Sequence, residues 1–190
     1  MCNFKYELKM TMQERKFQRA VFSVAVTAFI GVAVAIPTVS PQEAPIQPCQ
    51  GEEYRQFDFW IGEWDLSWGD SGRGSNRITL ELDSCVIVEN FTTAGEQPFV
   101  GRSVSTYNKY TEQWHQTWVD NNGTYLDFTG GLSADSMILI RRAVRGDTTF
   151  HQRMVFFNIA DDSLDWSWQR SDDGGSTWKI LWHIDYTRQE

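Results

Sequence analysis

The stretch Phe57-Asp58-Phe59-Trp60-Ile61-Gly62-Glu63-Trp64-Asp65-Leu66 constrains the fold most, because the spacing of apolar residues changes across its glycine. Before Gly62, the residues Tyr54, Phe57 and Trp60 or Ile61 recur at helical spacing. After it, Trp64, Leu66 and Trp68 recur at every second position, with Glu63, Asp65 and Ser67 between them. A change from period 3.6 to period 2 predicts a short helix plugging one end of a sheet, followed by the first strand. Glycine permits the tight turn that joins the two.

Alternation of the same kind continues to the C-terminus. Ile78, Leu80 and Leu82 alternate with Arg77, Thr79 and Glu81, predicting a strand over 75–82, and 85–93 follows after an Asp83-Ser84 turn. Further strands are expected at 101–108, 113–120, 124–132, 136–143, 148–158, 163–170 and 177–187. Asn121-Asn122-Gly123, Ser133-Ala134-Asp135 and Arg145-Gly146-Asp147 supply turns, since Asn and Gly tolerate positive φ. About ten short strands with tight connections, and no amphipathic helix long enough for a parallel crossover, predict an all-β, up-and-down antiparallel barrel. A two-sheet sandwich is the competing arrangement.

The chain carries nine Trp, twelve Phe and six Tyr, a heavy aromatic load that suits an all-β core or an aromatic-lined cavity, and every Trp lies between Trp60 and Trp182. Without residues 1–35 the chain carries 12 Lys+Arg against 23 Asp+Glu, a balance of −11. So acidic a surface repels phosphate backbones, so no nucleic-acid partner is expected, and self-repulsion favours a monomer.

Arg15, Lys16 and Arg19 precede an uncharged apolar run of 17 residues from Ala20 to Ile36. A basic segment followed by such a run reads as a signal peptide within 1–40, with an uncut anchor as the alternative. Pro41, Pro45 and Pro48 mark an extended linker over 41–48, and the folded domain is expected over 49–190. The protein is therefore expected to be secreted or periplasmic, with no membrane contact apart from the leader. In an oxidising compartment Cys49 and Cys85 are expected to pair, two separate buried thiols being the alternative. With no CxxC or CxxH spacing, no metal site is predicted.

Gly62-Glu63-Trp64 on the first strand and Arg188 near the end of the last resemble the Gly-x-Trp and late Arg of calycins, the superfamily of lipocalins and fatty-acid-binding proteins. The resemblance implies barrel closure by Gly62, Trp64 and Arg188, with the guanidinium over the Trp64 indole. Between Cys49 and Arg188 the chain also resembles a family of secreted bacterial domains of unknown function related to nitrobindin-type barrels. That likeness rests on the FDFWIGEWDL opening, on Trp114-x-x-x-Trp118-Val119-Asp120, and on the SDDGGSTW hairpin with its Tyr186-x-Arg188 ending. It implies a calycin-like fold and an exported context, and it carries over no catalytic residues.

If Trp64 points inward, strand parity carries Trp68, Trp118, Trp168, Trp182 and Tyr186 into the interior with Gln116 and Gln152. These seven are the expected ligand contacts, an apolar lining with sparse polar groups suited to a small hydrophobic or amphipathic molecule. Parity along the last strand places Trp178, Ile180, Trp182, Ile184, Tyr186 and Arg188 on one face. A core simply filled by these aromatics is the alternative. His115, His151 and His183 fall out of phase with the aromatic face, so haem lacks an expected axial ligand and no cofactor is predicted. No Gly-x-Ser-x-Gly, His-Glu-x-x-His or P-loop pattern occurs. An enzyme on the same barrel, an isomerase, cyclase or hydrolase using Tyr186, Gln116 or Asp120, is the rival reading, with a raised Asp120 pKa as its marker. Ser171-Asp172-Asp173-Gly174-Gly175-Ser176-Thr177-Trp178 fits the Asp-box pattern and is expected to act as a structural turn.

Overall fold

The computed structural model describes residues 48–189. The predicted leader, and the linker up to Gln47, lie outside the described residues. A helical turn α1 (Glu52–Arg55) and a 3-10 turn (Asp58–Trp60) lead into the sheet. Its strands are β1 (Gly62–Trp68), β2 (Gly72–Glu81), β3 (Val86–Thr93), β4 (Val100–Asn108) and β5 (Gln113–Asp120). They continue as β6 (Tyr125–Ser133), β7 (Ser136–Arg145), β8 (Thr148–Phe157), β9 (Ser163–Ser171) and β10 (Lys179–Arg188).

Each strand pairs with its neighbours in sequence, and β1 pairs with β10 to close an antiparallel barrel of ten strands among the described residues. Closure leaves no open sheet edge and sets Trp64 opposite Arg188. Odd-numbered strands run away from the plug and even-numbered ones return, so each hairpin turn belongs to a known end of the barrel.

The plug holds one end by aromatic packing. Phe57 stacks on Trp60 at 5.0 Å and meets Trp114 and Phe156 edge-on at 5.4 and 5.0 Å, all four side chains being buried. Edge-to-face pairs add about 0.5–1.5 kcal/mol each beyond the area they bury. Cys49 and Cys85 form a disulfide across a sequence separation of 36. It pins the segment before α1 to the β2–β3 turn and removes conformational freedom from the unfolded chain.

At the same end the Arg188 guanidinium lies 4.1 Å from the Trp64 ring centroid. Its nitrogens donate to the carbonyls of Ile61, Phe59 and Asp161 at 2.7, 3.1 and 2.7 Å. One arginine thus satisfies the plug, the first strand's approach and the β8–β9 turn together. Gly62 has φ +137°, and a Cβ there would collide with the Arg188 guanidinium, so glycine is needed on both counts.

Face parity fails at one place in β10. Ile180 pairs with Gln169 while Trp182 pairs with Trp168, so Leu181 is an extra residue in a bulge. Ile180 is consequently exposed, and Trp178 sits on the barrel's outside with its ring 4.0 Å from the Arg153 guanidinium carbon. The single face predicted from Trp178 to Arg188 therefore begins only at Trp182.

The Asp-box segment forms the β9–β10 turn. Ser171 Oγ accepts from Gly175 N at 2.8 Å, and the Asp173 carboxylate accepts from Thr177 N and Thr177 Oγ1 at 2.9 and 2.6 Å. These bonds from Thr177, with one from Ser171, hold the Asp173 carboxyl well below the usual carboxylate range. The polar side chains substitute for ladder partners that a tight turn lacks.

Candidate functional site

Between the plug and the far rim the barrel encloses a cavity of about 440 Å³. Its apolar wall includes Phe91, Trp118, Phe128, Trp166, Trp168 and Trp182. The ring centroids of Trp166 and Trp182 lie 5.8 Å apart at 90°, and those of Phe128 and Trp168 lie 5.6 Å apart at 78°. Edge-on packing props the indoles against one another around the space, so it is not filled by collapse. Trp118 keeps its place because Gly101, its diagonal neighbour on β4, has no Cβ to meet the indole. The cavity reaches the rim, where exposed Val144 and Arg145 line it beside Asp120 and Thr124.

Of the seven residues expected to contact a ligand, Trp118, Gln152, Trp168, Trp182 and Tyr186 line this cavity. Trp68 and Gln116 do not. Trp68 lies edge-on to Trp182 at 5.3 Å and covers Gly72, so it backs a lining residue without reaching the space. Gln116 is buried and donates to Ser105 Oγ at 3.0 Å, because the small Ser105 opposite leaves room for the amide to fold onto the wall. None of His115, His151 and His183 lines the cavity.

Three polar features of the wall escaped the sequence reading. The first is a carboxyl on β3. Glu89 is buried, with Oε1 accepting from Asn76 Nδ2 at 2.7 Å and Oε2 from Ser103 Oγ at 2.6 Å. Burial pushes it from near 4.5 up to about 7, against the pull of the hydrogen bonds from Ser103 and Asn76. Asn76 Nδ2 also donates to the Tyr186 hydroxyl at 3.1 Å, joining the two ionisable side chains. Burial, and then the nearby Glu89, push Tyr186 up, so it stays a neutral phenol.

The second feature is Arg141 on β7, whose Nη1 donates to Gln152 Oε1 at 2.9 Å. The third is the Trp60 indole N–H, which is buried, makes no full-geometry hydrogen bond and lies toward the Tyr186 hydroxyl. It comes from the plug and forms part of the cavity wall.

Asp120 departs from its expected marker. Burial raises its carboxyl, but hydrogen bonds from Trp118, Thr124 and Asn122 together outweigh it and leave the pKa lowered. Its oxygens accept from Trp118 Nε1 at 3.1 Å, Asn122 N at 2.9 Å and Thr124 N at 3.1 Å, which makes it the anchor of the β5–β6 turn. Outside the cavity, Asp165, His183 and Asp185 cluster on the outer face of β9 and β10, with His183 Nε2 3.8 and 3.6 Å from the two carboxylates.

No protein-family model matches the chain, and no curated protein matches it.

Proposed function

We propose that the protein is an exported, monomeric, calycin-like barrel that binds a small apolar or amphipathic molecule in its interior. The observation that carries this reading is the 440 Å³ cavity, lined by indoles that brace one another and open to the rim. That volume is within the range in which small-ligand pockets bury most of a guest's surface. A barrel packed solid by its own aromatics would lack it. Gln152, Arg141 and the group around Glu89 are the few polar contacts that would orient a guest.

Support for export comes from the Cys49–Cys85 disulfide, which persists in oxidising compartments, and from the basic and apolar pattern of residues 15–36. Among the described residues no helix is long and apolar enough to cross a membrane. The acidic balance of the barrel favours single copies over assemblies.

Native mass spectrometry of the protein purified from its own exporting host tests the reading. The expected spectrum shows a monomer carrying a guest of a few hundred daltons that denaturation releases. A bare mass that also fails to gain any added apolar compound would contradict it.

A further inference from the structure

From the groups at the inner part of the cavity we infer that the barrel catalyses proton transfer: Glu89 takes a proton from a bound carbon acid, while Tyr186 O–H and Trp60 N–H hold the oxygen on which negative charge develops. The substrate class is an uncharged, largely apolar β,γ-unsaturated carbonyl compound, whose acidic C–H lies between the carbonyl and the C=C bond. This rests on the binding reading, since the substrate must first enter the cavity.

Three observations converge on it. Glu89 Oε1 and the Tyr186 hydroxyl are both within hydrogen-bond reach of a single atom, Asn76 Nδ2, so base and donor share a few ångströms of wall. All three functional side chains, Glu89, Tyr186 and Trp60, line the same cavity. Tyr186 accepts from Asn76 without donating to any described residue, and the buried Trp60 N–H, which makes no full-geometry hydrogen bond, lies toward that same hydroxyl, so the two donors converge on one spot. A buried donor without a well-formed hydrogen bond is unfavourable, and an incoming oxygen supplies the acceptor it lacks.

Asn76 and Ser103 hold the carboxyl in one orientation from β2 and β4, in the wall of the cavity that Glu89 lines. The other charged or titratable groups of the wall are Tyr186 on β10, Asp120 on β5, and Arg141 and Arg145 on β7. Among the described residues none forms an ion pair with Glu89, so its charge state follows burial and its two hydrogen bonds. A base poised near neutrality in an apolar site, with donors aimed at the developing oxyanion, is the arrangement that general-base catalysis requires.

The step is redox-neutral and needs no co-reactant. The C–H bond breaks, its proton passes to the Glu89 carboxylate, the C–H electron pair becomes the new C=C π bond, and the carbonyl π pair moves onto oxygen. That oxygen is then stabilised by Tyr186 and Trp60. Returning the proton from Glu89 to a different carbon of the conjugated anion completes an isomerisation and regenerates the carboxylate.

Ring opening of 5-nitrobenzisoxazole tests the inference, because it needs only one proton abstraction. The C3 proton goes to the base, the C–H pair becomes part of the nitrile, the N–O bond breaks, and the phenolate oxygen takes the place of the carbonyl oxygen. The full chain should accelerate it saturably, with kcat rising through an inflection near pH 7. Glu89→Gln should lower kcat about 100-fold, and Tyr186→Phe should lower kcat about tenfold while leaving that inflection in place. Binding of the compound is followed separately by tryptophan quenching, and folding of each variant by circular dichroism. Quenching by the wild type with a rate no faster than that of folded Glu89→Gln would overturn the catalytic inference and leave the binding reading standing. Absence of quenching by this compound and by other apolar probes would remove the binding reading, and the inference with it. Should Glu89→Gln fail to fold, Glu89→Asp replaces it: a shorter carboxylate lowers kcat at least tenfold with KM little changed, and an unchanged kcat contradicts the role.

Discussion

Replacing Trp64 by alanine is expected to destabilise the barrel by about 3–5 kcal/mol, the range for deleting a buried large aromatic. Trp64 has no exposed surface, lies 5.8 Å edge-on from Tyr186, supports the Arg188 guanidinium and donates from Nε1 to the Trp60 carbonyl at 2.8 Å. Its removal leaves a void at the junction of plug, first strand and last strand, where the barrel closes. The plug cannot collapse into that void, because Arg188 still ties Phe59 and Ile61 in place through their carbonyls. Urea unfolding should show the midpoint falling at nearly constant slope. Trp64→Phe, which keeps an aromatic face beneath the guanidinium, should lose much less. A midpoint for Trp64→Ala equivalent to a loss under 1 kcal/mol would show that closure is held elsewhere.

Glu89 should make the wild type less stable as the solution becomes more alkaline. The folded protein holds this proton up to about pH 7, whereas an unfolded glutamate releases it near 4.5. Between those values the folded state binds the extra proton. Stability is therefore fully present below about 4.5, falls as pH rises through the window, and levels off above 7, for a total near 3 kcal/mol. Glutamine resembles the protonated acid in shape and in lacking charge. Glu89→Gln should match the wild type near pH 4.5 and exceed it at pH 8 by about 3 kcal/mol in urea unfolding. Taking the difference between the two proteins cancels the other titrating groups. Curves that stay parallel from pH 4.5 to 8 would mean that Glu89 does not titrate in this window.

The same alternation that made the barrel readable made its polar interior hard to see. Where one face is apolar and the other polar, as in Trp64-Asp65-Leu66-Ser67-Trp68, phase follows directly from the residues, and strand limits fall within a few positions of those predicted. On β3 both phases are apolar: Val86 and Val88 compete with Ile87 and Phe91. Glu89 shares the inward phase with Ile87 and Phe91, and its identity argues for the opposite face. On β7 the same competition between Ile138 or Ile140 and Met137 or Leu139 conceals Arg141.

Trp68 and Gln116 lie off the cavity for a different reason. Parity says which way a side chain leaves the sheet, but whether it meets open space depends on what stands in front of it. For Trp68 that is Trp182, and for Gln116 it is Ser105 across the strand pair. The bulge at Leu181 left no cue in the alternation, since Ile180, Leu181 and Trp182 are all apolar and suit either face. The Asp-box turn was readable because its polar side chains bond locally, within seven residues.

The central claim is that the barrel interior is an accessible, aromatic-walled space. It is tested most directly by titrating a neutral apolar fluorophore such as N-phenyl-1-naphthylamine against the wild type and against Ala143→Trp. Ala143 is a buried wall residue near the rim, so an indole there occupies the space while leaving the plug and closure untouched. Saturable binding to the wild type, with energy transfer from the wall tryptophans and loss of at least tenfold in affinity in the variant, is the predicted result. Equal binding to both proteins, or none to either, would contradict it.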